Sequence, residues 1–319
     1  MTLFVLIVIL LLGFVILVKS STFFVDAISS LAINFKMSKM AIAMTVGAFS
    51  TCVPELAISF NSMIASASDI VISNVLGSSI VNILLIIGLA AFCFPIKTKE
   101  TVLKKEALIL VSITALFAFS MIHNMIYLKN NVILTRVNAL LLLLMFGVFI
   151  IFIISEIKIK KGFFENEKAK YTPKASIIIS IFSIIGVLVG SNIIVNNATN
   201  IANMLGISEK LITMTVIVVG TSLPELFMTV VSAKKKEYDL AIGNIVGTNI
   251  FNIGIVLGLP ILIFGDISSA SFNYIDLSVA LIASILFYIF AKSDKKITRI
   301  EGCIMVVLFV LYYIYLFLQ

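Results

Sequence analysis

Two glutamates, Glu55 and Glu225, carry the strongest chemical signal in the sequence. Each follows a proline, in STCVPE from Ser50 to Glu55 and in GTSLPE from Gly220 to Glu225, and each lies well inside an apolar run. An ionised carboxylate in hydrocarbon is costly, so each needs a cation or a proton. Proline has no N–H and crowds the carbonyl four residues back, so the carbonyls of Ser50 and Gly220 are expected to lose their helical partners. Irregular backbone at membrane depth is tolerated where it lines a cavity or meets a partner, and a hard cation is such a partner. A kinked helix with a protonated, hydrogen-bonded glutamate is the other reading of one such motif.

Two further segments bring oxygens at helical spacing, SNVLGSSIVN (Ser73 to Asn82) and GNIVGTNIFN (Gly243 to Asn252). Ser78 and Asn82 are four apart and share a helix face, as do Thr248 and Asn252. Gly77 and Gly247 let neighbouring helices approach beside those oxygens. Carboxylate, hydroxyl, amide and carbonyl oxygens without a histidine or thiolate cluster suit Ca²⁺ or Na⁺, not zinc or copper. The cysteines Cys52, Cys93 and Cys303 are far apart and form no metal spacing.

These residues must be positioned by elements built for lipid. The 319 residues are 61% hydrophobic and 12% charged, with a mean hydropathy of +1.19, which excludes a water-soluble globule. Apolar runs predict ten spanning helices, near 3–33, 40–63, 70–94, 107–122, 132–154, 175–203, 211–233, 240–264, 276–291 and 301–318. The run at 1–18 has neither the charged flank nor the cleavage site of a signal peptide and is the first span. The net charge of +7 belongs to short clusters between spans, not to a nucleic-acid surface. Of the 23 basic residues, 19 fall in alternate connections, from Lys36 to Arg299. The positive-inside rule puts those in the cytoplasm and both termini outside.

Shifting the chain by 170 residues aligns 25–89 with 195–259 without a gap, with 21 identities among 65 pairs. The matches include Thr45 with Thr215, Thr51 with Thr221, Pro54 with Pro224, Glu55 with Glu225, Asn74 with Asn244, Gly77 with Gly247, Asn82 with Asn252 and Gly88 with Gly258. Shared apolarity cannot supply polar matches, so the chain is a duplicated five-helix unit. Residues 64–69 read IASASD where their partners 234–239 read KKKEYD, and 97–106 hold four lysines where 267–276 hold none. Equivalent connections therefore lie on opposite faces, as an odd number of spans per copy requires. The expected fold is all-α and integral to the membrane, ten transmembrane helices as two inverted five-helix repeats, at 1–154 and 175–319, joined by a cytoplasmic linker at 155–174. Secondary transporters of this design place the substrate site at the midplane between the copies.

Taken together, these motifs resemble the two α-repeats of the cation/calcium exchanger superfamily, and more closely its sodium/calcium exchanger branch of prokaryotic type. GTSLPE matches the family motif outright and GNIVGTNI matches the pattern G-N-x-x-G-[ST]-N-x, while the first copy is looser; the resemblance spans all ten helices in order. It implies exchange of cytosolic Ca²⁺ for external Na⁺ by alternating access, with the first and sixth helices sliding as a gating pair. By position it implies Glu55 and Glu225 as central ligands, backbone carbonyls from Thr51, Thr221, Ala48 and Val218, and further oxygens from Ser78, Asn82, Thr248 and Ser222. Asn252 stands where relatives often carry Asp. Cys52 stands where a hydroxyl is usual and reads as a packing thiol, not a ligand. Ser50 replaces a glycine in the second span, and Ser73 replaces the glycine before Asn74.

The expected function is a Na⁺/Ca²⁺ antiporter of the cell membrane, multi-pass and not an enzyme. Its partners are Ca²⁺, Na⁺ and the lipid bilayer, with no cofactor and no nucleic acid, and the chain is expected to act as a monomer. An H⁺/Ca²⁺ antiporter is the same-class alternative, disfavoured because proton-coupled relatives usually carry an acid where Gly77 and Gly247 stand. A cation channel is the alternative from another class, since midplane oxygens also build filters. Lys19 and Asp26, two turns apart, are expected to pair near the inner end of the first span or to snorkel, and His123 to sit solvated at an outer helix end.

Overall fold

The computed structural model describes residues 3–64, 68–97, 103–127, 132–159, 168–205, 218–268, 274–293 and 296–318. Apolar runs this long can satisfy their backbone in lipid only as helices. Among the described residues, nine helices are long and apolar enough to cross a membrane. The first span is Leu3–Asn34 and the sixth Pro173–Met204. Both have 32 residues and stand at the 170-residue offset, which carries the repeat back to residue 3. The fourth and fifth are Leu103–Tyr127 and Arg136–Ile159, the ninth and tenth Tyr274–Lys292 and Arg299–Leu318. The seventh is described only from Val218; its expected beginning at 211–217, with Lys210, lies outside the described residues, as do 160–167 of the linker.

The third and eighth spans form the centre, with 78% and 83% of their most apolar windows buried against 17% for the first and tenth. Their neighbours turn apolar faces outward, such as Leu11, Leu12 and Val15 of the first span and Val148 and Ile151 of the fifth, where lipid is the natural solvent. The repeat relation is visible in contacts. Thr114 and Ser284 are 170 apart and their hydroxyls lie 3.4 Å from each other, so the fourth and ninth spans meet at the pseudo-twofold axis. Short antiparallel strand pairs tie the ends, Ile96 with Ile297 and Leu134 with Ile267. Strands 96–97 and 267–268 hold corresponding places after the third and eighth spans. This is the inverted ten-helix repeat expected from the sequence.

The first and sixth spans pack closely along their length. A Cβ on Gly190 would come within 2.8 Å of the Leu17 backbone N and 3.1 Å of the Gly13 carbonyl, so only a glycine lets the backbones approach this far. The first and seventh spans end alike. Lys36 (φ 52°) and Lys236 (φ 62°) are left-handed, and Met37 N–H and Glu237 N–H donate back to the carbonyls of Ala32 and Ser232 at 2.8 and 2.9 Å. Each is a Schellman ending, with a cation where the helix dipole favours one.

That turn corrects the expectation for Asp26. Its partners are not Lys19 on its own helix but Lys235 of the seventh span (2.5 Å) and Lys170 of the linker (2.8 Å). Lys235 also donates to the Thr22 carbonyl at 3.0 Å, and Glu237 takes Lys39 at 2.9 Å and the Ser29 hydroxyl at 3.2 Å. A cation from the neighbouring helix reaches Asp26 side-on, whereas Lys19 is exposed two turns away. The hydrogen bond from Lys170 to the carboxylate holds its ammonium above the usual lysine range. His123 is exposed near the C-terminal end of the fourth span, its ring tilted by 37° against Tyr127 at 4.9 Å.

Candidate cation site

The second and seventh spans bring the two glutamates to the central spans in different ways. The second is an α-helix (Lys39–Ile42), a π-turn (Ala43–Gly47) and a second α-helix (Ala48–Ile64) that continues through Pro54. The seventh breaks: a short helix, Val218–Thr221, stops, and Leu223–Lys234 begins with Pro224 in its first turn. The sequence led us to expect equal disruption. The two differ in hydroxyls: Thr51 donates to the Ala48 carbonyl (3.1 Å) and Ser50 to the Val46 carbonyl (2.6 Å), whereas Gly220, at the place of Ser50, has none to donate. At Ser222 no side-chain cap forms and the chain turns instead.

The third span (Ser68–Ile80, Val81–Ile87, Gly88–Cys93) and the eighth (Tyr238–Phe251, Asn252–Leu257, Gly258–Phe264) each widen into a π-helix midway. Asn82 is the second residue of one π-segment and Asn252 the first of the other. Such bulges shift the helical register and recur at functional sites. Nothing in the residue types announces them.

Glu55 and Glu225 are 1% and 0% exposed, in spans that both pack against the third and eighth. Each glutamate is buried to a degree that carboxylates almost never reach unpaired. Thr51 reaches Thr248 of the other repeat, hydroxyl to hydroxyl at 3.4 Å, and the Asn82 amide donates to the Asn249 side chain at 3.5 Å. The Cys52 thiol lies 3.7 Å from the Thr248 carbonyl, and Asn74 holds the Glu55 carbonyl at 3.3 Å. Ser78, Thr248, Ser222 and Ala48 are buried. The helix of Thr221 touches the helix of Ser78. Val218 begins that short helix, and its side chain lies outside the described residues.

Among the described residues, several of these oxygens meet no hydrogen-bond donor: Oε2 of Glu55, both carboxylate oxygens of Glu225, Oδ1 of Asn82 and Asn252, and Oγ of Ser222. Leaving one buried polar atom unpaired costs about 1–3 kcal/mol. Oxygen-only donors with two carboxylates suit a hard cation, which takes about 6–8 oxygens if it is Ca²⁺. Reasoning from the sequence missed other buried polar groups, Ser59, Thr229, Asn244 and Asn249. Ser59 and Thr229 could have been found, because both are hydroxyls four residues beyond a glutamate at the repeat offset.

Known proteins share the family pattern and the fold. The family model described as sodium/calcium exchanger protein matches residues 5–155 and 175–318. The sodium/calcium exchanger MaX1 of Methanosarcina acetivorans is 31% identical over 342 residues, covering 97% of each chain. The inner membrane protein YrbG of Escherichia coli is 35% identical over 291 residues, covering 87% of this chain and 86% of its own. Solved structures of the sodium-calcium exchanger NCX_Mj superpose with a TM-score of 0.82 for crystals soaked with zero Na⁺ and Ca²⁺ (30% identity, 99% and 100% coverage). For crystals soaked with 2.5 mM Na⁺ and 0.1 mM Ca²⁺ the TM-score is 0.80 (30% identity, 96% and 97% coverage).

Proposed function

Because the chain belongs to the sodium/calcium exchanger family, we propose that it extrudes Ca²⁺ from the cytoplasm in exchange for external Na⁺, by alternating access across the cell membrane with both termini outside. The carrying observation is the set of buried oxygens on Glu55, Glu225, Asn82, Asn252 and Ser222 that meet no partner among the described residues. Glu55 and Glu225 are the central ligands. Ser78, Asn82, Thr248, Asn252 and Ser222 add side-chain oxygens, and Ala48, Thr51, Val218 and Thr221 add carbonyls. Thr51, through its hydroxyl, also braces the Ala48 carbonyl beside the site.

Charge sets the exchange. Two carboxylates give the site −2, which balances one Ca²⁺ or two Na⁺, so a third Na⁺ crosses as net positive charge. Ions compete because they need the same oxygens, and neither repeat alone offers both carboxylates. The absence of an acid at Gly77 and Gly247, where proton-coupled relatives usually carry one, favours Na⁺ over H⁺ as the driving ion. An acidic side chain at position 247 has no room: a Cβ there would lie 2.7 Å from the Met44 Cα and carbonyl O.

Ca²⁺ uptake into everted vesicles, driven by a Na⁺ gradient at constant pH, tests the reading. Uptake that needs only a pH gradient would overturn it. The substitution Asn252→Asp adds a third carboxylate beside two others, which favours proton binding. Its Ca²⁺ uptake should fall more steeply than the parent's as the medium is acidified, and its reversal potential should shift. An unchanged pH profile and reversal potential would show that position 252 is peripheral.

A further inference from the structure

Buried hydroxyls continue from the two glutamates in mirror-related rows. Ser59 and Ser62 follow Glu55 at four and seven residues, and Thr229 and Ser232 follow Glu225 at the same steps, which places each row on one face of its helix. All four are buried. A helical hydroxyl usually bonds back to the carbonyl four residues earlier, as Thr45, Thr114 and Ser284 do here. Among the described residues, the hydroxyls of Ser59 and Thr229 have no partner at all. Their spans cross the membrane in opposite directions. One row therefore leads from Glu55 toward the lysine-poor face and the other from Glu225 toward the lysine-rich face.

The second row reaches a cavity between the first, second, seventh and eighth spans. Ser232 and Asn244 line it on the polar side and Phe24, Val25 and Ile28 of the first span on the other. It leaves about 10 Å³ for the centre of a water-sized particle, roughly the room that one water or one bare cation needs. Asn244 is 3% exposed, and both polar atoms of its side chain lack a partner among the described residues. Its repeat mate Asn74 is used structurally, on the Glu55 carbonyl. Asn244 faces the cavity with its amide uncommitted. Past Val25 the wall passes into a cleft lined by Asp26, Lys39 and Glu237, where the pair of Asp26 with Lys235 binds the first span, and that of Glu237 with Lys39 the start of the second, to the turn after the seventh.

We propose that these rows are two half-paths for a dehydrated hard cation. Ser59 and Ser62 serve transfer between Glu55 and the outside. Thr229, Ser232 and Asn244 serve transfer between Glu225 and the cytoplasm, with Asn244 as a transit site. On the inner half-path the cavity is bounded on one side by Phe24, Val25 and Ile28 of the first span. The inference rests on the exchanger reading and orientation given above.

Single cysteines test it. Ser59→Cys and Ser232→Cys are made separately, and a cationic, membrane-impermeant methanethiosulfonate is applied to one side of sealed vesicles during Na⁺-driven Ca²⁺ uptake. The unsubstituted chain is the control for its own cysteines. Reagent outside should block Ser59→Cys and spare Ser232→Cys, reagent on the cytoplasmic side should do the reverse, and saturating Ca²⁺ should slow both reactions. Asn244→Leu should cut turnover about ten-fold or more, the size expected from losing one polar contact to a charged ion. Block of both cysteines from one side, or of neither, overturns the half-paths, as does undiminished turnover in Asn244→Leu. Absence of Na⁺-driven uptake in the unsubstituted chain would instead overturn the exchanger reading.

Discussion

Glu225→Ala should abolish Ca²⁺ transport while the protein remains folded and inserted, and Glu55→Ala should do the same. Both carboxylates are fully buried, and Glu225 offers two oxygens that meet no donor among the described residues. Alanine halves the charge that holds the cation. Removing one member of a buried charge pair costs about 2–5 kcal/mol, which lowers ion affinity by about 30-fold to several thousand-fold. Stability should move the other way. Without an ion, an unpaired buried carboxylate is a burden on the fold, so its removal should leave the ion-free thermal midpoint unchanged or raised. Vesicle flux and thermal unfolding of the purified variant, each with and without Ca²⁺, read the two effects separately. Substantial residual exchange in both variants would show that the ligands are misassigned. Loss of transport together with loss of fold would show that the glutamates are structural.

The second large effect is expected at Gly247, which touches no ion. A Cβ there would sit 2.7 Å from Met44 Cα, 2.7 Å from the Met44 carbonyl O and 2.7 Å from Ala48 Cβ. Two of those neighbours are backbone and cannot rotate away, so Gly247→Ala must push the eighth span off the second. Overpacking of this kind costs about 1–3 kcal/mol and occasionally more. The displaced helix carries Thr248, which meets Thr51 at 3.4 Å, and Asn252 one turn on. A misplacement of about 1 Å at a reacting centre can cost about 100-fold, so flux should fall by at least that order while the thermal midpoint drops. Gly147→Ala is the matched control, since a Cβ there meets nothing within 4 Å, and both readouts should stay at the parent's values. Equal behaviour of the two alanine variants would refute the close-packed seam.

Much of this architecture could be read directly from residue order. The 170-residue offset, polar matches such as Asn74 with Asn244, and lysines that change sides between copies are enough to set ten spans in inverted halves. Where their ends are described, the helices begin and end within about five residues of the apolar runs, because hydrocarbon leaves the backbone little choice; the fifth was expected from 132 but starts at Arg136, since Val132–Leu134 pairs as a strand. The π-segments at Val81–Ile87 and Asn252–Leu257 were not legible, since one added residue in a helical turn depends on how neighbours pack rather than on the residues within it. The unequal behaviour of the two prolines was half legible. Ser50 and Thr51 can each brace a carbonyl, whereas Gly220 at the first of these positions cannot, but which carbonyl a hydroxyl takes is a matter of geometry. Asp26 was misread because spacing along one helix cannot reveal a lysine arriving from another. Ser59 and Thr229 stood in the same alignment as the glutamates and were passed over because serine and threonine are common in helices. Their significance lies in being buried without partners.

The most direct measurement is diffraction from crystals grown with Ca²⁺, with the anomalous signal collected to locate the ion. One strong peak is expected in the membrane midplane between the second and seventh spans, with carboxylate oxygens of both Glu55 and Glu225 about 2.3–2.6 Å away and oxygens of Asn82 and Asn252 facing it. A peak bound by only one repeat, or glutamates turned apart with no ion between them, would contradict that expectation.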